Sequence, residues 1–519
     1  MADEAGVILI AAVIVVVDHR EEIRIFKDAE VLGLTALMVP ADQTTDLEVV
    51  TDRDQPDIQI ASGGKMTPRP HDPDFAPFES DFKWLENVRR DLFQKGRSRR
   101  VFTGALWPLV VDLRNLRIAA FRVKRNKGGR TAGVDGVRFS HLEKCLDGFI
   151  HDLHEELRMG YFEPNSVSRK WIPKENKKEM RGLGIPTISD RIVQAAILQI
   201  IEPFFEARFL PSSVGFRKGR GVPDGVRQIK AILNEPGFSW VIEGDIEKCF
   251  DRIDHAKLLS KLKRIIRDPE VLEMIVGFMI ANIDDRGVRS ESVRGVPQGA
   301  LLSPLLSNVA LSFIEETYSG KRKSTNAVRY SDDFVIFCRG TEKKAHLVKQ
   351  DLADRLKSEA GLTLSIEKTK ITNIHESFRF IGYEFKRVDS SAQVLVSEPK
   401  IQKMANRISG AVGEYSLNRD FEGLLEKLGP LLRGWAGYHI VCDNTVEVFQ
   451  RLDRLVFREL VKWICKKRSC SPRAAFMWLN FNGIETVSEQ GAFWLSDALR
   501  GSSPIQNRHL LRGCREQLA

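Results

Sequence analysis

The stretch "NAVRYSDDFVIFC", residues 326–338, constrains the fold more than any other part of the chain. Val328, Tyr330 and residues 334–337 have the character of a buried strand, yet Asp332 and Asp333 stand side by side among them. The pattern predicts a β-hairpin with the aspartates at its turn. Ionised carboxylates are seldom buried unless they are paired or bound to metal, and adjacent ones repel. Taken alone, the pair reads as an ordinary polar turn. A second site shares the habit. "VIEGDIEKCFD" (241–251) is an apolar strand, then Gly244, then Asp245 where the strand ends. Asp245 alone reads as a helix N-cap. Two strand-borne carboxylate sites with apolar approaches point instead to a shared Mg²⁺ site, because Mg²⁺ favours a few carboxylates together with substrate phosphates.

Charge distribution says what such a site works on. The chain has 519 residues and a formal net charge of +9. Residues 1–66 hold 5 Lys/Arg and 13 Asp/Glu, so the remainder carries +17. Residues 89–130 alone have 13 basic and 2 acidic side chains. A strongly basic body points to a polyanion, most simply nucleic acid, against the alternative of a lysine-rich solvated surface. Two Mg²⁺ ions a few ångströms apart can activate a 3′-hydroxyl and stabilise a leaving pyrophosphate. The seven cysteines include no CxxC pair, which argues against a zinc site or a disulfide framework and fits a reducing cytosol. "GVILIAAVIVVVD" (6–18) is shorter than the roughly 20 residues of a membrane span and lacks a basic N-terminal flank, so it reads as a buried strand. A cytoplasmic protein without a membrane partner is expected.

Length suggests two to four domains. Residues 1–66 read as an acidic segment with one or two short strands and no role that the sequence names. The stretch 62–79 is rich in Pro and Gly, and residues 67–80 read as a linker. Met66 sits at this composition break, leaving open a small separate module or translated upstream sequence. From about 80 a helical stripe appears at Phe82, Leu85, Val88, Leu92 and Phe93. "SRKWIPKENKKEMRGLGIPTISD" (168–190) predicts a hairpin with a basic turn. A helix follows over 190–209, with Asp190 as N-cap. Helix and strand signals alternate to about 395, and the rest is helical.

These motifs resemble those of reverse transcriptases. "YSDD" resembles their YxDD box, "DIEKCFDRIDH" their first catalytic motif, and "RGVPQGALLSPLLSNVAL" (294–311) their PQG motif. "RGLGIPTISDRIVQAAILQIIEP" and "SSVGFRKGRG" look like the fingers and early palm of bacterial, group II intron-type enzymes. "GLTLSIEKTKI" and "FRFIGYEF" resemble the closing palm motifs. "LLRGWAGYH" and the basic helix after it look like the thumb, or maturase X domain. The resemblance runs in order from about 80 to 468. It implies an α+β right-hand polymerase. Fingers and palm over 81–395 would include an antiparallel sheet bearing the carboxylates, and a helical thumb/maturase domain would occupy 396–470. Residues 471–519 form a tail without a recognisable HNH endonuclease.

The resemblance also implies roles. Asp245, Asp332 and Asp333 would be catalytic carboxylates holding two Mg²⁺ ions, with Mn²⁺ a possible substitute, helped by the carbonyl of Ile246. Phe250 matches the aromatic that crowds the sugar 2′-position and favours dNTPs; as a bare residue it reads as a core aromatic. Gln298 would lie beside the incoming nucleotide. Lys174, Arg181 and Lys368 would meet the triphosphate. Phe216 and Arg217 would pack against template, and Phe380, Ile381 and Gly382 would support the primer end. Arg451, Arg454, Arg458, Lys462 and Lys466 would hold RNA through phosphates. The implied partners are an RNA template, a DNA primer, dNTPs and a structured intron RNA. The implied activity is RNA-directed DNA polymerisation with intron splicing and mobility. A domesticated reverse transcriptase in phage defence or repair, and an RNA-binding splicing factor with an inactive polymerase site, are the alternatives. Ser331 departs from the alanine usual in this group.

Overall fold

The computed structural model describes residues 78–126, 128, 131–173, 180–320 and 324–479, together with the backbone of three short N-terminal strands. Those strands, Leu9–Ile10, Val13–Val17 and Ile23–Lys27, form an antiparallel sheet of their own within a compact unit spanning residues 1–56. Among the described residues the acidic segment thus has three strands where one or two were expected. The basic turn at 174–179, with Lys174, most of the expected linker and the tail beyond 479 lie outside the described residues.

The larger unit is built around a four-stranded antiparallel sheet. Its order is Lys370–Asn373, Phe238–Gly244, Asp333–Arg339, Thr325–Tyr330. Residues 334–338 form an unbroken apolar run because both faces of this strand are covered. Phe334, Ile336 and Cys338 point into a core shared with the N-terminal helices. Val335 and Phe337 point into a second core, shared with the C-terminal helices. Side chains alternate across a strand, so each face is served by every second residue.

The first core includes one side of helices Glu79–Arg97 and Leu113–Arg125 and most of Ile188–Glu206. The last begins earlier than expected. Thr187 is its N-cap, its hydroxyl accepting from the Asp190 N–H at 3.2 Å. Asp190 is buried and receives the Asn165 N–H instead. A second sheet contains the expected hairpin, Val167–Pro173 with Met180–Ile185, joined in parallel by Ile283–Asp285. The basic belt is partly internal. Arg89 bridges to Glu202 at 2.5 Å, and Arg122 donates to Gln199 at 2.7 Å.

A third sheet, Phe378–Phe380, Tyr383–Val388 and Ser391–Leu395, leads into helices Glu398–Gly413, Phe421–His439 and Thr445–Arg468. Leu452, Val456, Leu460 and Trp463 supply the buried stripe of the last; Leu455 is only half-buried. Ala475 and Leu479 join the same core, so residues 471–479 pack with these helices and not with a tail. Among the described residues no helix is long and apolar enough to cross a membrane.

Where the third sheet meets the helices, His439 is 2% exposed and packed against the rings of Trp435, Tyr438 and Tyr383. Its Nδ1 is buried without a hydrogen-bond partner. Burial, with Lys400 adding repulsion, pushes the imidazole down to about 3. The unfolded chain therefore binds a proton below about 6.5 that the folded chain refuses. Stability contributed by neutral His439 is complete above about 6.5 and is lost as pH falls toward 3. Urea unfolding at pH 6.5 and 4.5 should show the wild type losing on the order of 2 kcal/mol more than His439→Gln over that interval. Equal losses would refute the assignment.

Candidate functional site

The strand Phe238–Gly244 runs through both cores and releases the chain at Asp245. The segment beyond is pinned to residues 363–369. Ser365 N–H donates to the Asp245 carbonyl at 2.8 Å, Glu247 N–H donates to the Thr363 carbonyl at 3.0 Å, and Ile246 forms an isolated bridge with Leu364. The same segment brings Lys368, whose Nζ lies 3.2 Å from Asp245 Oδ2. That lysine is exposed, so the pair adds little to stability and stays available to a ligand.

The neighbouring strand begins at Asp333. Phe334 pairs with Gly244, which sets Asp333 beside Asp245 across the ladder. Glycine is required there, because a Cβ on residue 244 would sit 2.1 Å from the Phe334 ring. Tyr330 pairs with Asp333, so Ser331 and Asp332 form a two-residue turn. Ser331 takes φ = +62°, in the region that favours glycine. Asp333 Oδ2 accepts the Ile381 N–H at 3.4 Å. Desolvation by the surrounding protein pushes the Asp333 carboxyl up to about 7, and Asp332, Asp245 and Glu243 push the same way. Among the described residues no three His, Cys, Asp or Glu side chains form a closed metal-binding group. What exists is an open set of oxygen donors, and the crowding of negative charge, which adds to the desolvation that raises Asp333, is what a divalent cation would relieve. An all-oxygen, carboxylate-rich donor set fits a hard ion of the Mg²⁺ type.

Around these aspartates several loops converge. Phe250 is half-buried, with the Phe216 ring edge-on at 6.2 Å; Phe216 also packs on Tyr330 at 6.3 Å. Val296 N–H donates to the Phe250 carbonyl at 2.6 Å, and Gly295 N–H to the Ile253 carbonyl at 2.8 Å. Gln298 is tied by its own carbonyl, which accepts the Gly184 N–H at 2.7 Å. The loop bearing Gln298 is thereby attached to the strand that carries exposed Arg181. Ile381 has φ = +42° and Gly382 φ = +83°. Tyr438 hydroxyl donates to the Ile381 carbonyl at 2.7 Å, which links the C-terminal helices to the loop touching Asp333.

Two expected contacts are corrected. Arg217 is 4% exposed and donates to Glu206 from Nε and Nη2, at 2.9 and 2.7 Å, so its guanidinium serves the fold and not a template. Phe380 is 1% exposed in the second core, which leaves Ile381 and Gly382 as the accessible part of that loop. On the helix Thr445–Arg468, the basic residues lie opposite the buried stripe and are exposed. Arg451 is bonded to Glu398 at 2.7 Å and Lys462 to Glu459 at 2.9 Å.

Sequence reasoning missed Arg329, which is fully buried beneath the turn. It bonds Glu315, Asn308, Ser213 and the carbonyl of Ser331. The signal was present. An arginine between Val328 and Tyr330 interrupts an apolar strand as surely as the aspartates do.

Residues 172–385 match the family described as "Reverse transcriptase (RNA-dependent DNA polymerase)", and residues 401–478 match "Group II intron, maturase-specific domain". Protein YkfC of Escherichia coli (strain K12) is 34% identical over 296 residues, covering 50% of this chain and 77% of that protein. The group II intron-encoded protein LtrA of Lactococcus lactis subsp. cremoris is 29% identical over 326 residues, covering 50% of this chain and 53% of that protein. The match thus spans about half the length of the latter. Maturase-like protein 1 of Euglena gracilis is 25% identical over 391 residues, covering 70% of this chain and 78% of that protein.

Proposed function

The chain belongs to the group II intron-type reverse transcriptases, and from that premise we propose that it is an RNA-directed DNA polymerase that also assists the splicing and mobility of an intron RNA. The observation that carries this reading is the setting of Asp245 beside Asp333 across one β-ladder, inside the reverse transcriptase match. The maturase-specific match over 401–478 supports the intron role, as does the Lactococcus relative named as an intron-encoded protein. On this reading residues 81–395 are fingers and palm, and 396–470 begin the thumb, which continues to 479.

Reverse transcriptases use divalent metal ions, and two Mg²⁺ ions are proposed here, held by Asp245, Asp332, Asp333 and the Ile246 carbonyl. Bound there, the ions would supply Lewis acidity for nucleotidyl transfer. The rest is the work of this chain's own residues. Lys368 already neutralises Asp245 and would turn to phosphate oxygens when substrate arrives. Arg181 would meet the triphosphate from the exposed hairpin. Gln298, fixed through its carbonyl, would border the base. Phe250 is braced by Phe216, and this pair would close the space beside the sugar 2′-carbon. Ile381 and Gly382 would seat the primer end. Arg454, Arg458 and Lys466 present a cationic stripe suited to RNA phosphates.

Purified protein given poly(rA)/oligo(dT), dTTP and Mg²⁺ should extend the primer. Asp332→Ala should cost more than the roughly 10- to 100-fold typical of losing a metal ligand's supporting partner; unchanged extension would sink the carboxylate assignment. Phe250→Ala should raise the incorporation of rNTP relative to dNTP by roughly 10- to 100-fold, whereas a fixed ratio would return Phe250 to a packing role. For RNA binding measured against salt, replacing Arg454 and Arg458 by alanine should lower the log–log slope by about 2. An unaltered slope would place the RNA elsewhere.

A further inference from the structure

Directly behind the YSDD turn lies a buried polar network that the proposed chemistry does not use. Arg329 is 0% exposed, and every nitrogen of its guanidinium has an acceptor. Nε donates to Glu315 Oε1 at 2.8 Å, and Nη2 reaches the same oxygen at 2.7 Å. Nη2 also donates to Ser213 Oγ at 2.9 Å, while Nη1 donates to Asn308 Oδ1 and to the Ser331 carbonyl, each at 2.9 Å. The partners come from four places: the helices Ser303–Leu311 and Phe313–Tyr318, the segment before Gly215, and the turn itself. The backbone joins in. Arg329 N–H donates to the Ser212 carbonyl and Val214 N–H to the Arg329 carbonyl, both at 2.9 Å. Asn308 Nδ2 holds the Gly215 carbonyl at 3.0 Å, where Gly215 presses so closely on the turn that a Cβ would lie 2.5 Å from the Ser331 nitrogen.

A buried arginine–glutamate pair is weak as a source of stability, because desolvation offsets most of the attraction. Its placement suggests another role. Ser331 is a non-glycine residue held at positive φ, and the peptide that follows it carries Asp332. Fixing the Ser331 carbonyl fixes that peptide plane, and with it the direction in which both aspartates leave the turn. We propose that Arg329 is a positioning residue for the catalytic turn: anchored by Glu315, Asn308 and Ser213, it holds the Ser331 carbonyl and keeps the left-handed conformation that presents Asp332 and Asp333. The proposal rests on the assignment of those aspartates as the reacting centre. Displacements of about 1 Å in such a site can cost on the order of 100-fold in rate. Lysine cannot substitute. Its three donors on one nitrogen do not span Glu315, Asn308 and Ser331 together.

The test uses the full chain in primer extension. Arg329→Met with Glu315→Met removes both charges at similar volume, an exchange that usually leaves stability intact. Arg329→Lys keeps the charge pair and loses the fork. For both variants, thermal unfolding midpoints near wild type are expected, with kcat lower by roughly 10- to 100-fold and the KM for dTTP within about threefold. Adding Ser331→Gly, which accepts positive φ without strain, should restore kcat by about tenfold in either background, relative to the same variant carrying Ser331. A folded variant with wild-type kcat overturns the proposal. So does a loss that Ser331→Gly does not relieve, and so does failure of both variants to fold, which would assign Arg329 to the fold alone. Asp332→Ala in the same assay separates the two readings. An active Asp332→Ala sinks the assignment of the aspartates, whereas an inactive one beside a fully active Arg329→Met/Glu315→Met sinks only the role of Arg329.

Discussion

Everything in the larger unit depends on the antiparallel pairing of Phe238–Gly244 with Asp333–Arg339. A strand register that slips by one residue moves every side chain to the opposite face. Here that slip would exchange the contents of two cores at once, because Phe334, Ile336 and Cys338 serve one and Val335 and Phe337 the other. The register is therefore over-determined by burial on both sides. Its by-product is the placement of Asp245 beside Asp333, where the covered part of each strand runs out. The Phe334 ring lying over Gly244 completes the lock.

The loops around the aspartates gain their positions from this sheet and from one another. Residues 245–247 are laced to 363–369, the Gln298 loop is hung between Phe250 and Gly184, and the Ile381 loop is held by Tyr438. Most of these ties are backbone hydrogen bonds or bonds to a carbonyl. Such contacts leave the side chains free for a ligand while fixing their starting points. Tyr438 also gives the C-terminal helices a direct bond to the loop that touches Asp333. The C-terminal helices and the carboxylate site are thereby mechanically joined.

Much was legible beforehand. The hairpin with its aspartates at the turn, the strand ending at Asp245 and the helical C-terminal region follow from local pattern, since each depends on periodicities of two or about 3.6 residues. The errors share one cause. Arg217 reads as a surface cation until Glu206 is seen beneath it, and Phe380 reads as part of an accessible loop until the second core is seen around it. Thr187 takes the cap from Asp190 because Asp190 is drawn inward to Asn165. In each case a partner distant in sequence or hidden by the fold decides what the residue does.

By itself the sequence determined the chemistry: which residues bear charge, which stretches must be buried, and that two carboxylate sites are carried on apolar strands in a basic chain. These are properties of residue type and short-range spacing. Only the tertiary structure decided the geometry. It set Asp245 beside Asp333, pushed the Asp333 carboxyl up to about 7 by crowding protein and like charges around it, and set Arg329 beneath Ser331, bonded to Glu315, Asn308, Ser213 and the Ser331 carbonyl. The physical reason is that desolvation and hydrogen-bond geometry depend on groups brought together from Ser213, Asn308, Glu315 and Ile381, and nothing in the local pattern at 326–338 specifies that those groups are near.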